Sequence, residues 1–252
     1  MVGSKKEQKN MKRILVFLII LALTSTLSQA QFKLKDLNIN KKFNWGIRAG
    51  GNGAFLNILD YKIGGVTETK PQANSQLGFV GSIFSRYNFK RNFIQLEVSY
   101  MTSRTSIQLD PSDFFPEMEI PQKQLLQIRE HSQSINIPLL YGLNIVKSSP
   151  YLLNFFIGPK VKYIFSNHCK NTQSPRFGLE YMNDDRNYAI YGVAGVSTTI
   201  GRLYIDFRYE ICCTSFKNNT YTLTPSDISY TPVTATLERS TNELNISVGF
   251  FW

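Results

Sequence analysis

Between Leu203 and Cys213, charged and apolar side chains alternate one for one. Asp206, Arg208 and Glu210 fall on one side of the run with Tyr204 and Cys212, and Leu203, Ile205, Phe207, Tyr209 and Ile211 fall on the other. A period of two is that of a β-strand with two unlike faces. Ionisable groups of alternating sign at this spacing support two kinds of chemistry. They can neutralise one another in a closed interior, or they can relay a proton or an ion. Arg48, Arg86, Glu97, Lys160 and Lys162 each occupy the polar side of another alternating segment, so eight residues form one candidate polar network.

Two further constellations invite chemistry. The cysteines are Cys169, Cys212 and Cys213. A disulfide from Cys169 to one of the adjacent pair is one reading, and three thiols is the other. Zinc needs four well-spaced ligands, and only His168 joins the cysteines, so no metal is expected. His131 and His168 are the only histidines. His168 stands near Ser166 and, in the adjacent loop, near Asp184-Asp185, which is the composition of a hydrolase site. Histidines in such loops are more commonly solvated, so no catalytic residue is assigned and the chain is read as a non-enzyme. There is no glycine-rich phosphate loop, and no cofactor is expected.

The elements that must position these residues are strands. Asn242 to Trp252 alternates cleanly, with Leu244, Ile246, Val248, Phe250 and Trp252 on one face. Seven earlier segments behave the same way: Asn44–Phe55, Leu77–Asn88, Phe93–Ser106, Ser132–Val146, Tyr151–Ser166, Tyr188–Ile200 and Leu203–Cys213. Pro159 inside the fifth marks a bulge or a position whose backbone donor is not needed. The connections are long and short by turns. Residues 59–76, 108–130, 167–187 and 214–241 read as long loops, and one or two helical turns are expected between Gln122 and Glu130. Short turns join the other strand pairs. This is the plan of an all-β, eight-stranded, antiparallel up-and-down transmembrane β-barrel, with short turns in the periplasm and four long loops outside. Each strand is long enough to cross a bilayer when tilted. The first and eighth strands must pair, because unpaired backbone groups in lipid are costly.

Composition agrees. Charged residues are only 18% and aromatics 13%, with 18 Phe and 13 Tyr, so much apolar surface must be placed. Residues 1–30 read as a signal peptide, with Lys5, Lys6, Lys9, Lys12 and Arg13 ahead of an apolar run from Ile14 to Leu23 and Ser28-Gln29-Ala30 at the cleavage site. Residues 31–42 read as a periplasmic lead and 43–252 as the barrel domain. The signal holds five of the 28 basic residues and one of the 18 acidic ones, so +6 remains of the formal +10. No basic run in that remainder exceeds two, and an exported chain does not meet cytoplasmic nucleic acid, so nucleic acid is excluded as a partner.

Polarity then assigns the faces. A Lys or Arg on the lipid side near mid-bilayer costs roughly 2–4 kcal/mol, so the eight charged residues should point inward. An eight-stranded barrel is only wide enough for side chains to fill it. A salt-bridged polar lumen, not a water pore, is therefore expected.

The strands resemble the PorT-like outer-membrane β-barrel family of Bacteroidota. The resemblance rests on Gly46-Ile-Arg-Ala-Gly50, Leu77-Gly-Phe-Val-Gly81, Ile94-Gln-Leu-Glu97, Ile135-Asn-Ile-Pro-Leu-Leu140, Gly158-Pro159, Val193-Ala-Gly-Val196 and Leu203-Tyr-Ile-Asp-Phe-Arg-Tyr209, with an aromatic terminus. Asn136 and Thr199 depart from it, where the family often has Glu and Asp. The resemblance implies a small barrel in the cell outer membrane, in contact with its lipid. It also implies insertion by the outer-membrane assembly machinery, which reads a C-terminal aromatic strand, here Phe250 and Trp252. It implies no defined activity. The expected role is structural, adhesive or surface-interacting, with an unidentified extracellular partner for the loops. The alternatives are a transporter or accessory subunit of a secretion system, and then an outer-membrane hydrolase.

Overall fold

The computed structural model describes residues 41–116, 126–171, 177–183, 187–214, 217–227 and 231–252. The expected signal peptide lies outside the described residues, as does most of the lead. The described elements, in order, are β1 (Phe43–Ile63), β2 (Val66–Thr67), β3 (Gln72–Phe89), β4 (Asn92–Leu109), α1 (Pro111–Phe114), β5 (Leu126–Ser148), β6 (Tyr151–Asn171), β7 (Phe177–Asn183), β8 (Tyr188–Ile200), β9 (Leu203–Cys212), β10 (Lys217–Pro225) and β11 (Val233–Phe251). Eight of them, β1, β3, β4, β5, β6, β8, β9 and β11, form a closed antiparallel ring. β11 returns to β1 from Gly46↔Phe251 up to Ile63↔Ala235. At this seam Gly50 and Gly249 stand where a Cβ would press on the opposite backbone, so their missing side chains let the ring close.

The ring's outer face is apolar around its lower part. Ile47, Ile83, Val98, Leu139, Ile157, Phe207 and Val248 are among its exposed residues. In water this surface would aggregate, but in a bilayer it is an ordinary wall. Among the described residues no helix is long and apolar enough to span a membrane. The tight turns at one end of the barrel place Lys90 at φ 56° and Gly201 at φ 59°. Pro159 pairs with Gly192 of β8. On its other side the ladder to β5 is interrupted between Pro138↔Lys160 and Tyr141↔Ile157 without a register shift. The proline thus takes the position whose donor is not needed, and no bulge forms there.

The expected long loops are largely strand where they are described. β1 continues to Ile63, β4 to Leu109 and β6 to Asn171, β5 begins at Leu126, and β7 and β10 are additional strands. Residues 126–130, helical by their sequence, are extended and pair with β4. The helix among the described residues is α1, where the Asp110 side chain accepts from the Ser112 N–H at 3.1 Å, and residues 122–125 of the expected helix lie outside them. Above the membrane the wall divides. β2, β1, β11, β10 and β7 form one side, while the upper parts of β3, β4, β5 and β6 form the other. Between them lies an apolar core of Tyr61, Ile107, Leu109, Phe114, Leu126 and Leu237 with their neighbours. Phe115 stacks on Phe177 with ring centroids 6.0 Å apart. The protein therefore has two storeys: a membrane barrel with a polar inside and, at the end away from the tight turns, an extension of its wall with an apolar inside.

Candidate functional site: the lumen and the outer rim

All eight charged residues of the expected network point into the ring, each at most 4% exposed. Alternation puts them there, because the outward positions on the same strands are apolar. With Glu243 added, they separate into two neutral groups and one lone cation. In the first group Arg48 Nη2 meets Glu97 Oε1 at 2.5 Å, and Arg208 Nη2 meets Glu97 Oε2 at 2.9 Å. Arg208 also grips Asp206, Nε to Oδ1 at 2.7 Å and Nη2 to Oδ2 at 2.9 Å. Tyr204 donates to Asp206 at 2.7 Å and Arg48 donates to Ser247 at 2.8 Å. Each carboxylate is thus held by several charge-assisted bonds, which a buried charge requires.

The second group lies nearer the apolar extension. Lys160 bridges Glu210 and Glu243, the latter at 2.7 Å, and Lys162 meets Glu243 at 2.5 Å. The ring of Tyr191 faces Lys160 Nζ at 4.1 Å. Above it, Arg239 Nη2 meets Glu130 Oε2 at 2.6 Å. Arg86 stands apart at the tight-turn end. Among the described residues it meets no carboxylate. Its guanidinium donates to Gln95 Oε1 at 2.9 and 2.8 Å and lies over the rings of Phe93 at 4.0 Å and Phe251 at 4.9 Å. Ring faces are an effective substitute partner for a desolvated cation.

Three members of this interior are absent from the sequence-derived set. Glu243 lies in phase with Asn245 and Ser247 on the inner face of the last strand, so the alternation that placed its neighbours also places it. Glu130 and Arg239 fall in segments that read as loops, and only the fold joins them. Asn136 and Thr199, the two departures from the family pattern, also line the lumen.

The cysteines are thiols and no disulfide joins them, which corrects the bridged reading. Cys169 lies on β6 opposite Glu130, whereas Cys212 lies on β9 opposite Tyr191 of β8. An intervening strand keeps β6 and β9 about 10 Å apart, beyond the ~7 Å Cα limit for a disulfide. Ser166 and His168 do meet, Oγ to Nδ1 at 3.0 Å, on the exposed outer face. Among the described residues no carboxylate orients that imidazole, and Asp184-Asp185 lies outside them. At the tight-turn rim Trp252 stacks on Trp45 with centroids 4.5 Å apart. The two residues exchange backbone hydrogen bonds of 3.1 and 2.8 Å. Phe250 faces outward beside Trp252, with ring centroids 5.9 Å apart.

Residues 28–220 match the family model described as outer membrane protein beta-barrel domain. The chain belongs to that family, and it is a small transmembrane β-barrel protein of the outer membrane. No curated protein sequence matches it. Similar solved structures include the outer membrane protein OprG from Pseudomonas aeruginosa, at 12% identity and TM-score 0.47, with 84% of this chain and 97% of that one covered. The Yersinia pestis attachment invasion locus protein Ail, solved with the heparin analogue sucrose octasulfate, shows 11% identity and TM-score 0.33 over 84% of this chain and 100% of that one. Neisserial surface protein A shows 11% identity and TM-score 0.34 over 84% and 96%.

Proposed function

We propose that this protein is a non-conducting, non-enzymatic barrel of the PorT-like branch. Its work is structural or adhesive, done by the extracellular storey against a partner outside the cell. The observation that carries this reading is the filling of the ring. Arg86 and its aromatic neighbours occupy the periplasmic end, the two neutral ion-pair groups fill the middle, and the apolar core covers the top. A cavity of about 30 Å³ between Lys162, Glu130 and Arg239 has room for about one or two waters. Among the described residues such an interior keeps its charges through mutual pairing or, at Arg86, against Gln95 and ring faces, which argues against a continuous aqueous path. The outer storey, made of extended wall strands with β2, β7 and β10 added, is the part that can meet a partner. Phe250 and Trp252 act in this reading as the signal for the assembly machinery.

Planar-bilayer recording of the purified full chain tests the reading. A silent bilayer at protein densities where a porin control conducts is expected, and steady large channels would overturn it. Deleting Phe250–Trp252 should abolish membrane insertion in cells, and normal insertion of that truncation would remove the assembly role.

A further inference from the structure

The two outer faces of the extracellular storey differ in charge. On β1, β11 and β7 the outward side carries Asp60, Glu238 and Glu180 among threonines, and Asp60 is bridged by Lys62 at 2.6 Å. On β4, β5 and β6 it carries Arg104, Arg129, Lys170, His131 and His168. Register fixes their arrangement. Arg104 stands opposite His131, and His131 stands opposite His168. One step higher, Arg129 stands opposite Lys170. These side chains border a groove of about 450 Å³. Glu130 also borders it, but Arg239 holds that carboxylate from the inside at 2.6 Å and Asn167 donates to it at 3.0 Å.

Two features turn this patch into a site. Like charges directly opposite on neighbouring strands repel and lower stability, and Arg129 and Lys170 are such a pair. Among the described residues no carboxylate pairs with either of them or with Arg104. The second feature is height. The row Arg104–His131–His168 lies one polar row, Thr102–Gln133–Ser166, above the uppermost lipid-facing residues Tyr100, Ile135 and Phe165. A strand advances about 3.3 Å per residue, so the cations stand about one headgroup's depth above the acyl region. Tyr100 and Phe165, with centroids 6.2 Å apart, form the aromatic edge directly beneath.

We infer that this groove binds the phosphate of a phosphorylated lipid headgroup in the outer leaflet, with Arg104, Arg129 and Lys170 as the charged contacts and His131 and His168 as flanking hydrogen-bond partners. Guanidinium groups suit this task through their paired donors. A phosphate between Arg129 and Lys170 replaces their repulsion by attraction. The acyl chains extend down the apolar wall. The inference rests on the outer-membrane placement and is independent of whether the lumen conducts.

The test uses the full chain reconstituted in vesicles of neutral phospholipid with a minor fraction of lipid A, either bis-phosphorylated or dephosphorylated. Lipid retained through detergent purification is counted by native mass spectrometry. Retention of the phosphorylated form is expected to exceed that of the dephosphorylated form by at least tenfold. Each cation at an anionic headgroup contributes about fivefold, from about 1 kcal/mol apiece, so R104Q/R129Q/K170Q should abolish the preference. E238Q on the opposite face should leave it intact. Heat-modifiable gel mobility verifies that the triple variant is folded, and K170Q alone, with a severalfold loss, serves if it is not. Equal retention of both lipids, or an undiminished preference in folded R104Q/R129Q/K170Q or K170Q, overturns the inference. So does equal displacement of the lipid by inorganic phosphate at matched concentration, which would make the groove a site for free anions.

Discussion

The lower and upper halves of this protein are built from many of the same strands and obey opposite rules. In the lower half, Arg48, Glu97, Lys160 and Asp206 are inside, and Ile47, Val98, Val161 and Phe207 are outside. In the upper half, Tyr61, Ile107, Ile128 and Leu237 are inside, while Asp60, Arg104, Arg129 and Thr236 face out. The inversion happens within single strands. On β11 the inner face reads Val233, Ala235, Leu237, then Arg239, then Glu243, Asn245 and Ser247. The solvent explains it. Lipid outside removes the reason to hide apolar side chains and penalises outward charge, so charge turns in and must be paired. Water outside restores the ordinary hydrophobic core. The Glu130–Arg239 pair stands where the rules change.

The comparison breaks most visibly if a lumen charge is removed. Glu97→Ala leaves Arg48 and Arg208 buried without their shared carboxylate. Removing one partner of a buried pair costs about 3–5 kcal/mol. The folded band in heat-modifiable electrophoresis should disappear at a much lower urea concentration. An unshifted midpoint would mean that the ionic groups do not hold the barrel.

A cavity in the other half should act locally. Leu237 is fully buried in the upper core, and Leu→Ala at such sites costs about 2–5 kcal/mol. Because this core lies above the closed lower ring, Leu237→Ala should open the upper storey to protease while the barrel band persists. Simultaneous loss of both would show one cooperative unit in place of two.

The outer surfaces permit the reverse test. Ile83 is exposed at mid-height of β3 in the lipid zone, and Ile83→Arg should cost about 2–4 kcal/mol. Thr236 faces out from β11 in the upper half, where Thr236→Arg should stay within about 0.5 kcal/mol. Equal costs would put the membrane boundary in the wrong place.

The same inversion governs what could be read from the sequence. The eight wall strands were legible because lipid-facing residues alternate with a polar lumen, and Asp206, Arg208 and Glu210 show it most clearly. The upper storey was not, although its alternation is present: Tyr221 and Leu223 against Thr220, Thr222 and Thr224. There the apolar set lies on the inner face, opposite to the lower wall. On β11 it therefore changes from odd positions, Val233 and Leu237, to even ones, Ile246 and Val248. On β1 a register shift between Ile58 and Asp60 blurs the pattern further. A search for one continuous apolar face stops at such a change and takes the residues beyond it for loop. The Glu130–Arg239 pair joins residues 109 positions apart in the chain (239 less 130) and needs the fold to be seen. So does the basic groove, whose members come from three strands.

The smallest expected loss of stability separates the halves by pH. Tyr221 is buried in the upper core, and that burial pushes its phenol from an ordinary value of 10.0 up to about 12, with Arg239 pulling partly against the shift. Below about pH 10 both the folded and unfolded states keep the proton, and the full stability of this region remains. Above it the unfolded state ionises first and binds fewer protons, so stability falls as pH rises, until the folded phenol also titrates near 12. At about pH 11 the loss is about 1 kcal/mol. The upper storey should therefore become protease-sensitive on the alkaline side while the barrel band stays folded. Tyr221→Phe removes one ionisable group and should make that alkaline limb shallower, leaving the part due to Tyr61, whose phenol burial also pushes up, at the cost of the Asn219 hydrogen bond of 3.2 Å. If Tyr221→Phe leaves the limb unchanged, the alkaline loss belongs to other groups and the two storeys do not part over this residue.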